Sequence, residues 1–387
     1  MKKNRLTSFV CLFFVFAFIL SVLASGLSAL FKPQVAQAYS GGGYTTARAM
    51  CVMEATSKRV LESKNENMKL PMASTTKIMT AITAIENCEN IDEIFEISPK
   101  AVGISGTSLY LRKGEKMSLR DLLYGLMLIS GNDAAVAIAH HVGGGEAKFI
   151  AMMNEAAKKI GAHCSHFDNP HGLDSQTHYT TAQDLALITS YALQNETFRE
   201  IVSTQNIKIV NTDGKVRYLH NKNKLLSSLE GCCGVKTGFT NDAGRCLVSA
   251  CEKEDMTLVC VVLNCGPMFE ESKNLLENAA SCYKLYDLTE NYNLPASINV
   301  VEGRRQEVAI ETKGKYLYPL TEEEIAEVKY EINLQKEVEA PVDKGICVGE
   351  VKIFIKNDLH FFEKIYTMEN VRRNSMWQKV KDFVTRW

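Results

Sequence analysis

The chain has 387 residues, of which 46% are hydrophobic and 23% are charged. This composition is that of a globular protein and excludes a disordered or collagen-like chain. Lysine and arginine together number 44, and aspartate and glutamate 45, so the net charge is too small to drive nonspecific nucleic acid binding. The length allows one large domain and a smaller one.

The start of the chain has the features of an export signal. Three of the first five residues are basic, an apolar run extends from Phe9 to Leu23, and Ala36-Gln37-Ala38 offers small residues to a signal peptidase. We therefore expect residues 1–38 to be a cleaved signal peptide and the remaining chain to act outside the cytoplasm. The apolar run from Ser8 to Phe31 is also long enough for an uncleaved anchor helix, which remains the alternative.

Eleven of the twelve cysteines follow residue 38, and an odd number cannot pair completely. No two have the Cys-x-x-Cys spacing, and several lie in apolar runs, where cysteine behaves as a small hydrophobic residue. We expect a buried and mostly reduced set. The sequence assigns no role to the adjacent Cys232 and Cys233.

Residues 45–287 are predicted to form the main domain. The segments 122–129 and 134–142 are apolar on nearly all sides, which indicates buried helices. Two strand-like runs, 245–250 and 256–263, are joined by a short polar turn and predict neighbouring antiparallel strands. Helices combined with an antiparallel sheet favour an α/β sandwich with a helical subdomain.

Residues 295–366 have a different pattern. Apolar and polar residues alternate with period two from Val328 to Leu334 and again from Val351 to Ile355. This pattern predicts a small all-β domain with one solvated face and one buried face. Nothing in it suggests catalysis.

The last segment, residues 371–387, is predicted to be a basic amphipathic helix. Trp377 and Trp387 lie at helical spacing with two valines, and five basic residues accompany a single acidic one. Such a helix is suited to a membrane interface. A helix that closes the β-domain is the alternative interpretation.

The first candidate catalytic pattern is Ser74-Thr75-Thr76-Lys77, at the start of a predicted helix that continues to Ile85. At 100° per residue, Ser74 and Lys77 share one face with the apolar residues of that helix. Burial disfavours an ammonium group, so the pKa of Lys77 should be lowered and its amine could take the hydroxyl proton of Ser74. The spacing alone is weak evidence, because Ser281 and Lys284 also satisfy it.

Two further patterns supply candidate site residues. Ser130-Gly131-Asn132 links the two predicted buried helices, where a polar loop is best explained by a cleft, although helix capping would also use it. Lys236-Thr237-Gly238 precedes the predicted strand pair. Its lysine and threonine could bind a carboxylate, and the glycine would allow close approach of a substrate backbone. As a lone tripeptide it could also be a simple turn.

Taken in chain order, the three patterns resemble those of the penicillin-recognising serine acyltransferases. Further segments look like the low-molecular-mass penicillin-binding proteins that are D-alanyl-D-alanine carboxypeptidases, and the order of the predicted domains follows the same family. The resemblance covers nearly the whole chain and implies a β-lactamase/transpeptidase-like fold. The additional segments are Ile104 to Leu111, Asn169 to Asp174 and Asn221 to Leu226.

The resemblance implies an acyl-enzyme mechanism on peptidoglycan stem peptides at the outer face of the cytoplasmic membrane. Ser74 would attack the carbonyl of the penultimate D-alanine, with Lys77 as general base and Ser130 as the proton relay to the leaving D-alanine. The backbone N–H groups of Ser74 and Phe239 would form the oxyanion hole. β-Lactams would acylate Ser74 and leave slowly.

The resemblance also implies how the substrate is held. Asn132 would bind the substrate amide, Lys236 and Thr237 would bind the terminal carboxylate, and Gly238 would lie against the substrate backbone. The sequence suggests no metal and no organic cofactor. We expect peptidoglycan, β-lactams and a membrane surface as partners, and no nucleic acid.

Other functions are less well supported. A class A β-lactamase would need a Glu-x-x-Leu-Asn segment, but Cys260 stands where the glutamate would lie before Leu263-Asn264. A zinc peptidase would need a third ligand beside His163 and His166. A cell-wall-binding or regulatory module without turnover remains as an alternative. So does a transpeptidase or endopeptidase that uses the same site.

Overall fold

The structure is a computed structural model, and it describes residues 45–290 and 293–375. The predicted signal peptide, residues 1–38, lies outside these residues. Among the described residues, no helix is both long and apolar enough to cross a lipid bilayer.

The main part of the chain is built on a five-stranded antiparallel sheet. Its strands are β1 Ala49–Glu54, β2 Val60–Lys64, β7 Cys232–Thr240, β8 Gly244–Lys253 and β9 Met256–Leu263. They lie in the order β2-β1-β9-β8-β7. The predicted hairpin is confirmed, since β8 pairs with β9 across the turn at residues 254–255. Strand β7 lies at the edge of the sheet, so one side of its backbone is open to a ligand.

Helices cover both faces of this sheet. The larger core lies on the face where the first six helices pack, and a second core lies against the helix that follows β9. The helices are α1 Lys77–Glu86, α2 Leu119–Leu128, α3 Asn132–Gly143, α4 Glu146–Ile160, α5 Ala182–Ala192, α6 Glu196–Ser203, α7 Leu225–Ser228 and α8 Met268–Cys282. This arrangement confirms the predicted α/β sandwich with a helical subdomain.

The two helices predicted from their all-round apolar character are α2 and α3. Nearly all of their residues are buried, and only Ile129, Ser130 and Gly131 separate them. Two small two-stranded antiparallel sheets lie in the main part of the chain. They are formed by β3 Ile94–Glu96 with β4 Lys116–Ser118, and by β5 Asn206–Val210 with β6 Val216–His220.

The C-terminal part is a β-domain, as the period-two pattern predicts. Its elements are β10 Lys284–Asp287, β11 Ser297–Val301, β12 Glu307–Thr312, β13 Leu317–Leu320, α9 Glu322–Ile325, β14 Val328–Leu334, β15 Glu337–Glu339, β16 Cys347–Ile355 and β17 Asp358–Thr367. A six-stranded sheet has the order β14-β16-β17-β12-β11-β15, and a two-stranded sheet pairs β10 with β13. Along β14 the exposure alternates residue by residue, and Val351, Ile353 and Ile355 of β16 are buried opposite it.

The β-domain is joined to the main part by a buried ion pair. Arg59 donates to the Glu324 carboxylate at 2.7 Å and to the Pro319 carbonyl at 2.5 Å. The guanidinium also lies over the rings of Tyr283 and Tyr318. These contacts tie the turn between β1 and β2 to the C-terminal sheets.

The prediction of a helix over residues 371–387 is wrong for its first five residues. Residues 371–375 are not helical: Val371 forms a β-bridge with Val342, and Arg373 forms one with Gly303. The backbone N–H of Val371 donates to the Val342 carbonyl, and Val371 is buried in the core of the β-domain, so tertiary packing overrides the helical spacing. The rest of that segment, residues 376–387, lies outside the described residues.

The eleven cysteines among the described residues are all free thiols, as expected. The expected burial holds for only part of the set. Cys164, Cys282 and Cys347 are exposed, whereas five others are fully buried in the sheet and its flanks.

Candidate active site

Ser74 and Lys77 lie at the junction of two helical segments beside strand β7. A single 3-10 turn, Ala73–Thr76, carries the serine, and α1 begins at the lysine itself. The Lys77 Nζ atom is 3.0 Å from the Ser74 Oγ atom. Ala73, directly before the serine, has φ of +49°, a strained conformation for a non-glycine residue. The chain therefore bends sharply where it presents the serine hydroxyl.

The amine of Lys77 is fully buried and has two further partners. Its Nζ atom lies 2.8 Å from Asn132 Oδ1 and 2.5 Å from the main-chain oxygen of His171. Both are oxygen atoms that can only accept, so each takes an N–H of Lys77. A neutral amine has two N–H bonds and one lone pair, which leaves the lone pair for the Ser74 hydroxyl.

The electrostatic environment favours that neutral amine. Burial lowers the pKa of Lys77 well below its ordinary value, and the positive charges of Lys236 and Lys222 lower it further. The pKa of Lys236 is itself lowered to about 7, first by burial and then by Lys222. The buried position of Lys77 and the two neighbouring positive charges therefore both favour its neutral form.

Ser130 lines the same cleft as Ser74, and the buried Asn132 is hydrogen-bonded to Lys77. Ser130 has φ of +68°, and its buried Oγ atom has no hydrogen-bond partner among the described residues. Asn132 donates to the Ser105 carbonyl at 2.7 Å through Nδ2 and accepts from Lys77 through Oδ1. The asparagine is thus held at both ends, whereas the serine hydroxyl is available to a ligand.

Asp133 fixes the loop that borders the cleft on this side. Its buried carboxylate accepts from the Ser108 hydroxyl at 2.7 Å and from the backbone N–H groups of Leu109 and Leu111 at 2.8 and 3.0 Å. The carboxylate thus accepts hydrogen bonds from backbone N–H groups that have no acceptor within the loop. The loop in turn supplies Thr107 to the cleft wall.

A second loop, residues 168–178, closes the other side of the α1 start. His178 Nε2 lies 2.8 Å from the Thr76 hydroxyl, and the carbonyl oxygen of Pro170 accepts from Thr80 at 2.6 Å. Gly172 has φ of +89°, and a Cβ atom there would lie 2.0 Å from the Ala73 oxygen. Only glycine lets this loop approach closely enough for the His171 carbonyl to reach Lys77.

Strand β7 provides the remaining predicted residues. Lys236 is buried and donates to the Thr237 carbonyl at 3.0 Å. A Cβ atom on Gly238 would lie 3.1 Å from both Met72 O and Ser74 N, so the strand passes very close to the turn that carries Ser74. Phe239 follows, with its side chain 64% exposed at the cleft mouth.

These residues border one open cleft with a volume of about 490 Å³. Lys77, Asn132 and Lys236 form its buried floor rather than its surface. The described residues that line the cleft are Ser74, Thr107, Ser130, His220, Asn221, Lys222, Lys224, Thr237, Gly238, Phe239, Met268 and Phe269. Within residues 45–290 and 293–375, no group of three or more histidine, cysteine, aspartate or glutamate side chains is arranged to hold a metal ion.

Comparison with known proteins agrees with this geometry. Residues 35–266 match the D-alanyl-D-alanine carboxypeptidase family, and residues 283–373 match the C-terminal domain of penicillin-binding protein 5. The chain belongs to the D-alanyl-D-alanine carboxypeptidase family. It is therefore a serine-type D-Ala-D-Ala carboxypeptidase, and the resemblance inferred from its motifs is confirmed.

Individual relatives cover most of the chain. D-alanyl-D-alanine carboxypeptidase DacF of Bacillus subtilis is 30% identical over 345 residues, which is 86% of this chain and 88% of the relative. The crystal structure of penicillin-binding protein 5 from Haemophilus influenzae superposes with a TM-score of 0.73 at 25% identity, covering 87% of this carboxypeptidase and all of that chain. The structure of a point mutant of the Streptomyces K15 DD-transpeptidase has a TM-score of 0.58 at 33% identity, over 61% of this chain and 98% of that one.

The structure brings all the predicted site residues together but adds several that the motifs did not reveal. The His171 carbonyl, Lys222, Lys224, Met268 and Phe269 lie in or beside the cleft of the carboxypeptidase. His171 and the two lysines fall within segments that resembled the family, but no motif assigned them a role. The spacing of side chains in a sequence gives no sign of a backbone carbonyl that will make a contact. Met268 and Phe269 of α8 come to lie beside the cleft only when the chain is folded.

Proposed function

We propose that this carboxypeptidase removes the terminal D-alanine from peptidoglycan stem peptides through an acyl-enzyme on Ser74. The observation that carries the proposal is the buried Lys77 amine 3.0 Å from the Ser74 hydroxyl, with both of its N–H bonds directed to Asn132 and His171. This arrangement supports Lys77 as the general base, because the lone pair is the one hydrogen-bonding site of a neutral amine left for the serine.

In the acylation step, the Ser74 oxygen forms a bond to the carbonyl carbon of the penultimate D-alanine as its proton passes to Lys77. The developing oxyanion would accept from the backbone N–H groups of Ser74 and Phe239. The close approach of Gly238 to Ser74 N supports this pairing, since it brings the part of β7 that carries Phe239 beside the backbone of Ser74. The peptide C–N bond then breaks, and the leaving nitrogen takes a proton through Ser130.

The unpaired hydroxyl of Ser130 supports its role as the relay. A buried polar atom without a partner is costly in the free protein, and a substrate nitrogen or carboxylate would satisfy it. Lys236 and Thr237 would bind the terminal carboxylate. Asn132 would position Lys77 and could use its second N–H to hold the substrate amide. Water then attacks the ester, which releases the shortened peptide and restores the Ser74 proton.

Intact-protein mass spectrometry after exposure to benzylpenicillin tests the nucleophile. We expect one covalent adduct, lost in Ser74→Ala and retained in Ser281→Ala, which removes the serine of the other Ser-x-x-Lys pattern. No adduct on the wild-type chain would favour a binding module without turnover. An adduct that persists in Ser74→Ala would refute Ser74 as the nucleophile.

A transpeptidase is the second candidate, because one similar structure is named a DD-transpeptidase. The two reactions share the acyl-enzyme and differ only in whether water or an amine accepts the acyl group. Incubation with a stem pentapeptide distinguishes them. Free D-alanine and tetrapeptide support the hydrolase, whereas cross-linked dimers as the main product would refute it.

We further propose that the protein is exported by residues 1–38 and acts in the cell wall space through a catalytic domain, residues 45–287, followed by the β-domain, residues 295–366. Contact with the membrane surface would be made by residues 376–387, whose two tryptophans and basic residues support it. Sedimentation with anionic lipid vesicles tests this. The mature chain should bind and a chain ending at residue 375 should not; equal binding would refute the contact.

A further inference from the structure

The backbone N–H of Ser74 is a donor without a partner. Within residues 45–290 and 293–375, no atom accepts a hydrogen bond from it. The Ser74 nitrogen faces strand β7, since a Cβ atom on Gly238 would lie 3.1 Å from it, and both residues line the cleft. The N–H is therefore free for a ligand, and its direction decides whether a ligand can use it.

That direction is tied to the carbonyl group of Ala73. The carbonyl and the Ser74 N–H belong to one planar peptide unit, which is trans, so the two groups point in opposite directions. Any rotation of this unit turns both groups together. Ala73 has φ of +49°, which is unfavourable for alanine, so contacts elsewhere in the protein must hold the unit in place.

A hydrogen bond from Thr76 holds the carbonyl. The Thr76 Oγ1 atom donates to the Ala73 oxygen at 2.8 Å and lies 2.8 Å from Nε2 of His178. A hydroxyl has one proton, and the carbonyl takes it, so the Thr76 oxygen accepts from His178. All three residues are buried, so water does not compete for these bonds.

The His178 ring is oriented by the loop that carries it. The backbone N–H of Asp168 donates to His178 Nδ1 at 3.0 Å, so Nδ1 carries no proton. Burial lowers the pKa of His178 to about 4, and the ring is neutral near pH 7 with its one proton on Nε2. Both observations give the same direction of donation, from Asp168 through the ring and the Thr76 hydroxyl to the Ala73 carbonyl.

We propose that His178 is a positioning residue that acts through Thr76 to hold the Ala73–Ser74 peptide unit, so that the Ser74 N–H faces the substrate oxyanion. The proposal rests on the proposed function, in which this N–H is one of the two oxyanion donors. His178 is buried and is not among the residues that line the cleft, so it acts without touching the substrate. A donor held in place before the reaction needs no reorganisation during it.

Two replacements of His178 separate positioning from simple filling of space. The longer amide of His178→Gln keeps an N–H donor at the reach of Nε2, whereas the shorter His178→Asn keeps only an acceptor for Asp168. Stopped-flow acylation of the full-length mature enzyme by benzylpenicillin gives the acylation rate constant and the Kd of the preceding complex. We expect His178→Asn to lower the rate constant about 10- to 100-fold at unchanged Kd, and His178→Gln to stay close to wild type.

Replacements of Thr76 test the same chain of hydrogen bonds independently. Thr76→Val removes the hydroxyl and should lower the rate constant as His178→Asn does, whereas Thr76→Ser should retain it. The double variant with His178→Asn should be no slower than Thr76→Val alone, because both changes break one chain. Thr83→Val is the matched control, since Thr83 is a buried threonine of α1 whose hydroxyl contacts the Met79 sulfur, and it should acylate at the wild-type rate.

Each outcome supports or refutes the inference. Equal rate constants in His178→Asn and His178→Gln, a loss confined to Kd, or additive losses in the double variant would refute it while the wild-type chain still acylates. Should His178→Asn fail to fold, the comparison of Thr76→Val with Thr76→Ser decides. If the wild-type chain forms no adduct with benzylpenicillin, the proposed function fails and the inference fails with it.

Discussion

The main-chain oxygen of His171 lies 2.5 Å from the Nζ atom of Lys77, so a loop 94 positions further along the chain orients the Lys77 amine. Together with Asn132 it takes both N–H bonds of the neutral lysine. As the proposed general base, Lys77 would be oriented before substrate binds, which would remove a reorganisation step from the reaction.

Removing the amine should abolish acylation without unfolding the protein. In Lys77→Met we expect the rate of acylation by a fluorescent penicillin to fall about 10²- to 10⁴-fold, the range of a positioned general base. The variant should still fold and unfold cooperatively, because methionine avoids the cost of burying an amine and this offsets the loss of the donor to the Asn132 and His171 oxygens. Lys100→Met, at an exposed lysine, is the matched control. Acylation at an unchanged rate in Lys77→Met would contradict the assignment.

The pH dependence of kcat/KM should reflect the ionisation of two lysines, one of which must be neutral and the other charged. Lys77 must be neutral, so activity should rise as pH passes upward through its lowered pKa. Lys236 must be charged to bind the carboxylate, so activity should fall above its pKa of about 7. Because Lys222 lowers the pKa of both lysines, Lys222→Gln should raise both and move the whole profile to higher pH.

A stopped-flow pH series with an N-acylated L-Lys-D-Ala-D-Ala peptide measures this shift. Lys208→Gln, at an exposed lysine on β5, should leave the profile in place. A Lys222→Gln profile that moves to lower pH, or does not move, would show that the charge of Lys222 does not act on the pair.

The close approach at Gly172 should be required for the reaction. In Gly172→Ala the added Cβ atom would lie 2.0 Å from the Ala73 oxygen, so the loop must retreat and withdraw the His171 carbonyl from Lys77. We expect the acylation rate to fall at least about 100-fold, since small displacements of positioned groups have effects of that size.

Gly103→Ala is a matched control, because Gly103 has φ of +79° but open space around its Cβ position. It should lose only about 1 kcal/mol of stability through backbone strain and keep its acylation rate. Equal acylation rates in the two variants would indicate that the loop does not position Lys77.

Asp133 should stabilise the loop opposite β7. Asparagine has a single acceptor oxygen and would present N–H groups to donors that the carboxylate now satisfies, including Leu109 and Leu111. We expect Asp133→Asn to lower the free energy of unfolding by about 2 kcal/mol in urea titrations. The exposed Asp242→Asn should change it by less than about 0.5 kcal/mol. A loss below that level in Asp133→Asn would contradict a structural role for the carboxylate.

The sequence by itself determined the architecture and predicted which residues line one cleft. Apolar character on all sides predicted α2 and α3, and period two predicted β14. The three short motifs predicted one shared site for Ser74, Ser130 and Lys236 through their resemblance to a known family. These signals are local, because each depends on spacing within one segment. The same reliance on local spacing produced the error at Val371, where a helical pattern is overridden by pairing with Val342.

Only the tertiary structure decided which contacts orient the Lys77 amine and where the lysines of the cleft lie. The His171 carbonyl belongs to the backbone, which is chemically the same at every residue, so no side-chain pattern can mark it. Lys224 reaches Phe269 of α8 from a segment about 45 residues earlier, and that proximity exists only once the sheet has brought α7 and α8 together. Lowered pKa values likewise depend on burial and on charges from distant segments, which a sequence specifies only through its fold.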